Sequence, residues 1–210
     1  MKHSSRRNIA GWLPVLVCLS LTGCLNLKPA QSHSRYFVLS SMSPSPGATN
    51  AGAASSLVIG LGTVRLPAYL MRTVMAVRVG PTEVKYLQDS LWAERLDAAC
   101  QRVLTANLEE LLPGSQVSNS GGGFCDVRVS VQQFDVDKDG NAILWTRWRI
   151  VSPAQQRPMQ TGETRLKRQG PSPFSDPGAA AKTLSELLAD FSKELAGIIE
   201  KHRVEQAPKQ

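Results

Sequence analysis

The spacing of apolar residues changes along this chain in one order, strands and then a helix, and that order occurs twice. From Trp92 to Leu112 the apolar positions Leu96, Cys100, Val103, Leu104 and Leu111 fall on one helical stripe, between the candidate cap Ser90 and the stop Pro113-Gly114. A second stripe, Leu184, Leu187, Leu188, Phe191, Leu195, Ile198 and Ile199, follows Asp176 as cap with Pro177 at the first helical position. Elsewhere the period is two or the runs are short, as strands require. The expected strands are 35–40, 57–64, 73–79 and a short one over 83–88. Val127, Val129 and Val131 then lead through DKDGN into Ala142–Val151, a hairpin with Leu144, Trp148 and Ile150 on one face, and a last strand covers 159–168. This order predicts a single α+β domain: a largely antiparallel sheet with two helices packed on one face. The 210 residues, 42% hydrophobic and 20% charged, suit one globular core.

The folded part does not start at residue 1. MKHSSRRNIAGWLPVLVCLSLTGC has a basic start, an apolar run from Ile9 to Leu21 and a small residue before Cys24, the pattern of a secretion signal. The run is shorter than the roughly 20 residues a spanning helix needs. Leu21-Thr22-Gly23-Cys24 resembles a bacterial lipobox, so residues 1–23 are expected to be removed and Cys24 to carry the lipid. Two or more acyl chains, at about 0.8 kcal/mol per buried methylene, anchor a protein almost irreversibly. Leu25, where an Asp would signal retention, resembles sorting to the outer membrane. Residues 24–34 then form a tether that reaches at most about 35 Å. Residues 35–203 form the domain, 204–210 a polar tail, and the Ser-, Pro-, Gly- and Ala-rich stretch 41–56 a loop inside the domain.

Charge excludes little by itself. The formal +7 loses Lys2, Arg6 and Arg7 with a signal that holds no acid, leaving +4, and no dense basic patch interleaved with aromatics suggests nucleic acid. Catalytic groups are scarce. His3 lies in the signal, His33 in the tether and His202 near the tail, so no histidine stands in the folded centre to serve a metal or a nucleophile. Asp135, Asp137, Asp139 and Gly140 open like a calcium loop, but the twelfth position is Thr146 where a bidentate Glu is needed, so this run is read as a solvated hairpin turn. Gly121-Gly122-Gly123 is read as a loop, since no helix follows it. No metal or cofactor is expected, and no enzymatic activity.

Arg147, Arg149, Arg165, Lys167 and Arg168 form a basic cluster that either meets an acidic partner or lipid headgroups or is a solvated sheet face. Trp145 and Trp148 point to opposite faces of one strand, so Trp145, Arg147 and Arg149 make a candidate partner-binding set. Asn107 falls within the first helical stripe and is expected to bond backbone in the core. Cys100 and Cys125 are the thiols left after processing. They either form a disulfide, closing a loop of about 25 residues and adding about 3 kcal/mol, or stand as two buried free thiols.

Several segments together resemble the ABC-type transport auxiliary lipoproteins: Arg35-Tyr36-Phe37-Val38-Leu39 soon after the lipobox, the run from Ile59 to Arg72 that includes Arg65-Leu66-Pro67-Ala68-Tyr69-Leu70, then Trp92-Ala93-Glu94-Arg95-Leu96 and Asn107 to Pro113. The pattern departs after Leu70, where Met71-Arg72-Thr73-Val74-Met75 replaces a Pro-containing stretch. The resemblance implies a non-enzymatic component at the periplasmic face of the outer membrane. It would serve an MCE-type lipid transport system, with an MCE-type periplasmic protein, or another copy of the chain in a homo-oligomer, as partner. The alternatives are an assembly or secretion accessory lipoprotein and an anchored envelope enzyme.

Overall fold

Cys125, Val127, Val129 and Val131 are buried while Asp126, Arg128 and Ser130 between them are not, and this alternation builds the strand that organises the sheet. The computed structural model of the protein describes residues 33–43, 57–154 and 157–206. The signal, Cys24 and nearly all of the tether, most of the 41–56 loop and the last residues of the tail lie outside the described residues.

The organising strand is β6 (Cys125–Asp137). One edge pairs antiparallel with β7 (Asn141–Ser152), and β7 pairs antiparallel with β8 (Arg157–Gln169). The other edge of β6 is shared. Its first residues pair in parallel with β2 (Leu57–Leu61), a parallel bridge joins Arg65 to Ser130, and its last two residues pair in parallel with β3 (Val74–Arg78). Beyond β2 lies β5 (Ser115–Ser118), parallel to it; beyond β3 lies β4 (Val84–Trp92), antiparallel, and then β1 (Arg35–Phe37), parallel to β4. The sheet is therefore mixed: its longest ladders are antiparallel, and the shorter ones that β1, β2 and β5 join are parallel.

Two helices, α1 (Leu96–Leu111) and α2 (Pro177–Gln206), supply the apolar stripes foreseen: Leu96, Cys100, Val103 and Leu104 from α1, Leu184, Leu187, Leu188, Phe191, Leu195 and Ile199 from α2. They cover the face of the sheet that carries Val127, Val129, Leu144, Trp148 and Ile150. Asn107 joins the helices, donating to Ser192 Oγ (3.1 Å) and accepting from the Met42 N–H (2.8 Å). Asp176 caps α2 as its sequence indicated, accepting from the Ala179 N–H at 3.0 Å. No helix among the described residues is long and apolar enough to cross a membrane.

Local signals misplace some element ends. Ser90 does not cap α1; it is buried in β4, and α1 begins six residues later, after Arg95, which makes no side-chain cap bond. The cause is tertiary: β4 has partners on both edges, so pairing carries it through Ser90 to Trp92 and outweighs a cap worth about 1 kcal/mol. The first strand is shorter than its pattern, because beyond Phe37 the chain leaves the ladder and buries Leu39. Helix side chains fasten it there: Arg102 donates to the Leu39 carbonyl (2.9 Å), and Ser185 Oγ accepts from the Ser40 N–H (3.0 Å). β5 carries no alternation signal, since Val117 is its one buried residue.

Candidate docking face

The helices leave the other face of the sheet uncovered, and strand parity decides what stands there. On β7 the outward positions are Trp145, Arg147 and Arg149, so the three residues singled out from sequence do share one face. Across the ladder Trp145 lies opposite Arg165, Arg147 opposite Glu163 and Arg149 opposite Thr161. Arg165 stacks over the Trp145 ring at 4.5 Å, which leaves Trp145 half-buried. Arg147 pairs with Glu163 at 3.2 Å, and the Trp145 indole and the Arg147 guanidinium hold the Glu163 carboxyl below its ordinary range. Trp148, on the helix side, is buried; its Nε1 donates to Thr164 Oγ1, whose hydroxyl in turn donates to Glu194 of α2.

The basic cluster divides. Arg165 and Lys167 share the open face with Arg147 and Arg149, whereas Arg168 falls on the helix side and pairs with Glu186 and Asp190 of α2. Two arginines absent from the cluster in sequence join the open face in space: Arg128 of β6 and Arg65, which follows β2. The signal for Arg128 was present, because it alternates with Val127 and Val129. Arg65 had none, since only the parallel bridge to Ser130 brings it there. Together Arg65, Arg128, Arg147 and Arg149 line a groove of about 830 Å³.

The acidic run does not behave as one turn. A bulge between Val131 and Gln133 shifts the alternation, so that Phe134 and Val136 face the helices and Asp135 the open side. There Asp135 is buried, not solvated as expected. Its carboxylate, 2% exposed, accepts from Arg78 (2.7 Å), from the Tyr69 hydroxyl (2.7 Å) and from Gln133 (2.8 Å). Burial and the Asp135 carboxylate both push the Tyr69 hydroxyl pKa well up, so it stays a donor. The turn itself is made by Asp137, which accepts from the Asp139 and Asn141 backbone N–H groups, and by Gly140. Gly140 has φ +89°, and a Cβ there would meet the Gly170 carbonyl at 2.1 Å.

Tyr69 belongs to a short 3-10 turn, Ala68–Leu70, which that carboxylate fastens over the open face. Tyr86 donates to the Tyr69 carbonyl (3.1 Å), and Arg72 stacks on the Tyr86 ring at 4.8 Å. Beside it Met71 is 37% exposed. The three glycines 121–123 lead into β6, where the Gly122 N–H donates to Asp126 at 3.2 Å.

Cys100 and Cys125 are both buried and both free thiols. Burial raises both, Cys125 to about 12, so neither is a nucleophile at neutral pH. His202 bonds Gln160 at 3.0 Å and His33 is exposed. Among the described residues no three His, Cys, Asp or Glu side chains gather as metal ligands would.

The class is an α+β domain with helices on one face of its sheet and an arginine-lined groove on the other, and comparison with known proteins supplies the family. Residues 37–196 match the model of the ABC-type transport auxiliary lipoprotein component, and the chain belongs to that family. The family is one of lipoproteins that assist transporters, not of enzymes. Two solved structures share the fold. A crystal structure of a protein from Xanthomonas campestris is 16% identical with a TM-score of 0.66, covering 82% of this chain and 100% of that one. A crystal structure of an uncharacterized protein is 22% identical with a TM-score of 0.65, covering 79% of this chain and 98% of that one. At such identities the likeness is one of fold. No curated protein matches the chain.

Proposed function

We propose that this chain is a periplasmic lipoprotein anchored in the outer membrane through Cys24, a non-enzymatic auxiliary component of an MCE-type ABC system that moves lipid between the envelope membranes. The observation that carries the reading is the family match over residues 37–196, on a chain whose Leu21-Thr22-Gly23-Cys24 reads as a lipobox. Leu25 supports outer-membrane sorting, and the short tether keeps the domain near its anchor.

Auxiliary subunits act by contact, and the open sheet face is where contact is to be expected. Trp145 held by Arg165, with Arg147 and Arg149 along the same strand, has the aromatic and guanidinium composition of interface hot spots. This face docks onto the periplasmic MCE-type partner. Replacing Trp145, Arg147 and Arg149 together by Ala should leave folding and anchoring unchanged and abolish recovery of the partner in a crosslinking pull-down from membranes. Full recovery with the triple variant would place the interface elsewhere, with the segment Pro67–Arg72 the next to test.

A further inference from the structure

Arg128 and Arg149 lie directly opposite each other across the β6–β7 ladder. Like charges so placed repel and weaken a sheet. Among the described residues neither has a carboxylate partner, and Arg65, bridged to Ser130 of β6 beyond the end of β2, has none either. Arg147, one step along β7, completes the set, so the groove holds four guanidinium groups against the single Glu163 that Arg147 already engages. A further acid on this face, Asp126, accepts from the Gly122 N–H and makes no ion pair with Arg128 or Arg149, although all three line one adjoining pocket.

The shape argues further. At about 830 Å³ the groove, though open to solvent, has the roughly 300–1,000 Å³ volume of small-ligand sites. Its floor carries hydroxyls as well: Thr161, and Ser130, whose oxygen accepts from Gln132 at 3.2 Å and whose own hydrogen is free to donate. Guanidinium forks contributed by three separate stretches of chain need a ligand with acceptor oxygens in several directions. A carboxylate offers two oxygens in one plane and one charge; a phosphate offers three or more in a tetrahedral spread.

The geometry points to a binding site for a phosphate-bearing small molecule, a free phosphate ester or the headgroup of a phospholipid, held by Arg65, Arg128 and Arg149 with Arg147 at its edge. The ligand would neutralise the opposed Arg128–Arg149 pair, so the repulsion built into the unliganded sheet becomes attraction when the site is filled. Binding weakens with salt, because the groove is open to solvent.

The test is titration calorimetry on the full acylated chain in a non-ionic detergent at low salt, with sn-glycerol 3-phosphate and dihexanoylphosphatidylglycerol as probes. Saturable binding of either is expected. Tighter binding of the lipid identifies a headgroup site, and equal or tighter binding of the glycerol phosphate a site for soluble phosphate esters. The variant R65Q/R128Q should weaken binding about tenfold or more, one charge-assisted contact being worth at least that. Its melting temperature should not fall, since one side of the repelling pair is gone. If R65Q/R128Q unfolds early, R128Q alone relieves the same pair and carries the same expectation. No saturable binding of either probe, unchanged affinity in these variants, or tighter binding of a poly-glutamate peptide than of both probes would overturn the proposal. Arg65 and Arg128 lie outside the triple replacement described above, so loss of anion binding and loss of the transport partner are separable results.

Discussion

Asp135 and Asp139 stand in one acidic run, yet the first is buried against Arg78 and Tyr69 while the second is exposed beside Lys138. Removing one member of a buried pair strands the other, so Asp135→Ala should destabilise the domain by about 3 kcal/mol. Asp139→Ala, by contrast, should stay within about 0.5 kcal/mol. Denaturant unfolding of the two variants side by side measures the difference; equal midpoints would mean that Asp135 is not the anchor of the Tyr69 turn. The thiols give a second test at this scale. Cys100 and Cys125 are buried with raised pKa values, so the native chain should resist alkylation at pH 8. Unfolded without reductant, both should take the label, read by peptide mapping; protection of both until reductant is added would reveal a disulfide.

At the scale of elements, the two helix starts contrast. Asp176 accepts a backbone N–H at the start of α2, whereas Ser90 sits inside β4 and α1 begins without a side-chain cap. Asp176→Ala should therefore cost about 1 kcal/mol, the usual worth of such a cap. A larger loss from Ser90→Ala than from Asp176→Ala, by thermal unfolding, would contradict this assignment of the helix starts. The same comparison shows what local pattern could and could not carry. The capping signal at Asp176-Pro177 succeeded because nothing competes for those residues. The one at Ser90 failed because β1 and β3 both claim the strand that holds it. Strand β5 left no trace, being four residues with a single buried side chain, and it is kept in line by its parallel neighbour β2 and by Glu109 of α1, which accepts from the Val117 N–H at 3.2 Å.

For the whole molecule, the proposed function requires anchoring and docking to work together, since a domain released from its anchor would dilute away from a membrane-bound partner. Cys24→Ser should abolish incorporation of a radioactive fatty acid and leave an unprocessed precursor. Equal labelling of mutant and parent would remove Cys24 as the attachment point. The arginine groove belongs to this scale too, because it is assembled from the chain after β2 and from β6 and β7, which no local stretch contains.

Sequence alone determined whatever depends on neighbours along the chain: the two apolar helical stripes, the β6–β7 hairpin with its turn, and the placing of Trp145, Arg147 and Arg149 on one face. Period and parity are local quantities, and burial follows them directly. Tertiary structure decided whatever depends on pairing across distance. It shifted Asp135 to the open face through a single bulge. It also brought Arg65 beside Arg128 through one parallel bridge across β6, a strand to which β2 and β3 both pair in parallel. Parallel pairing needs a crossover, and the crossover's length hides the partner from any window of sequence.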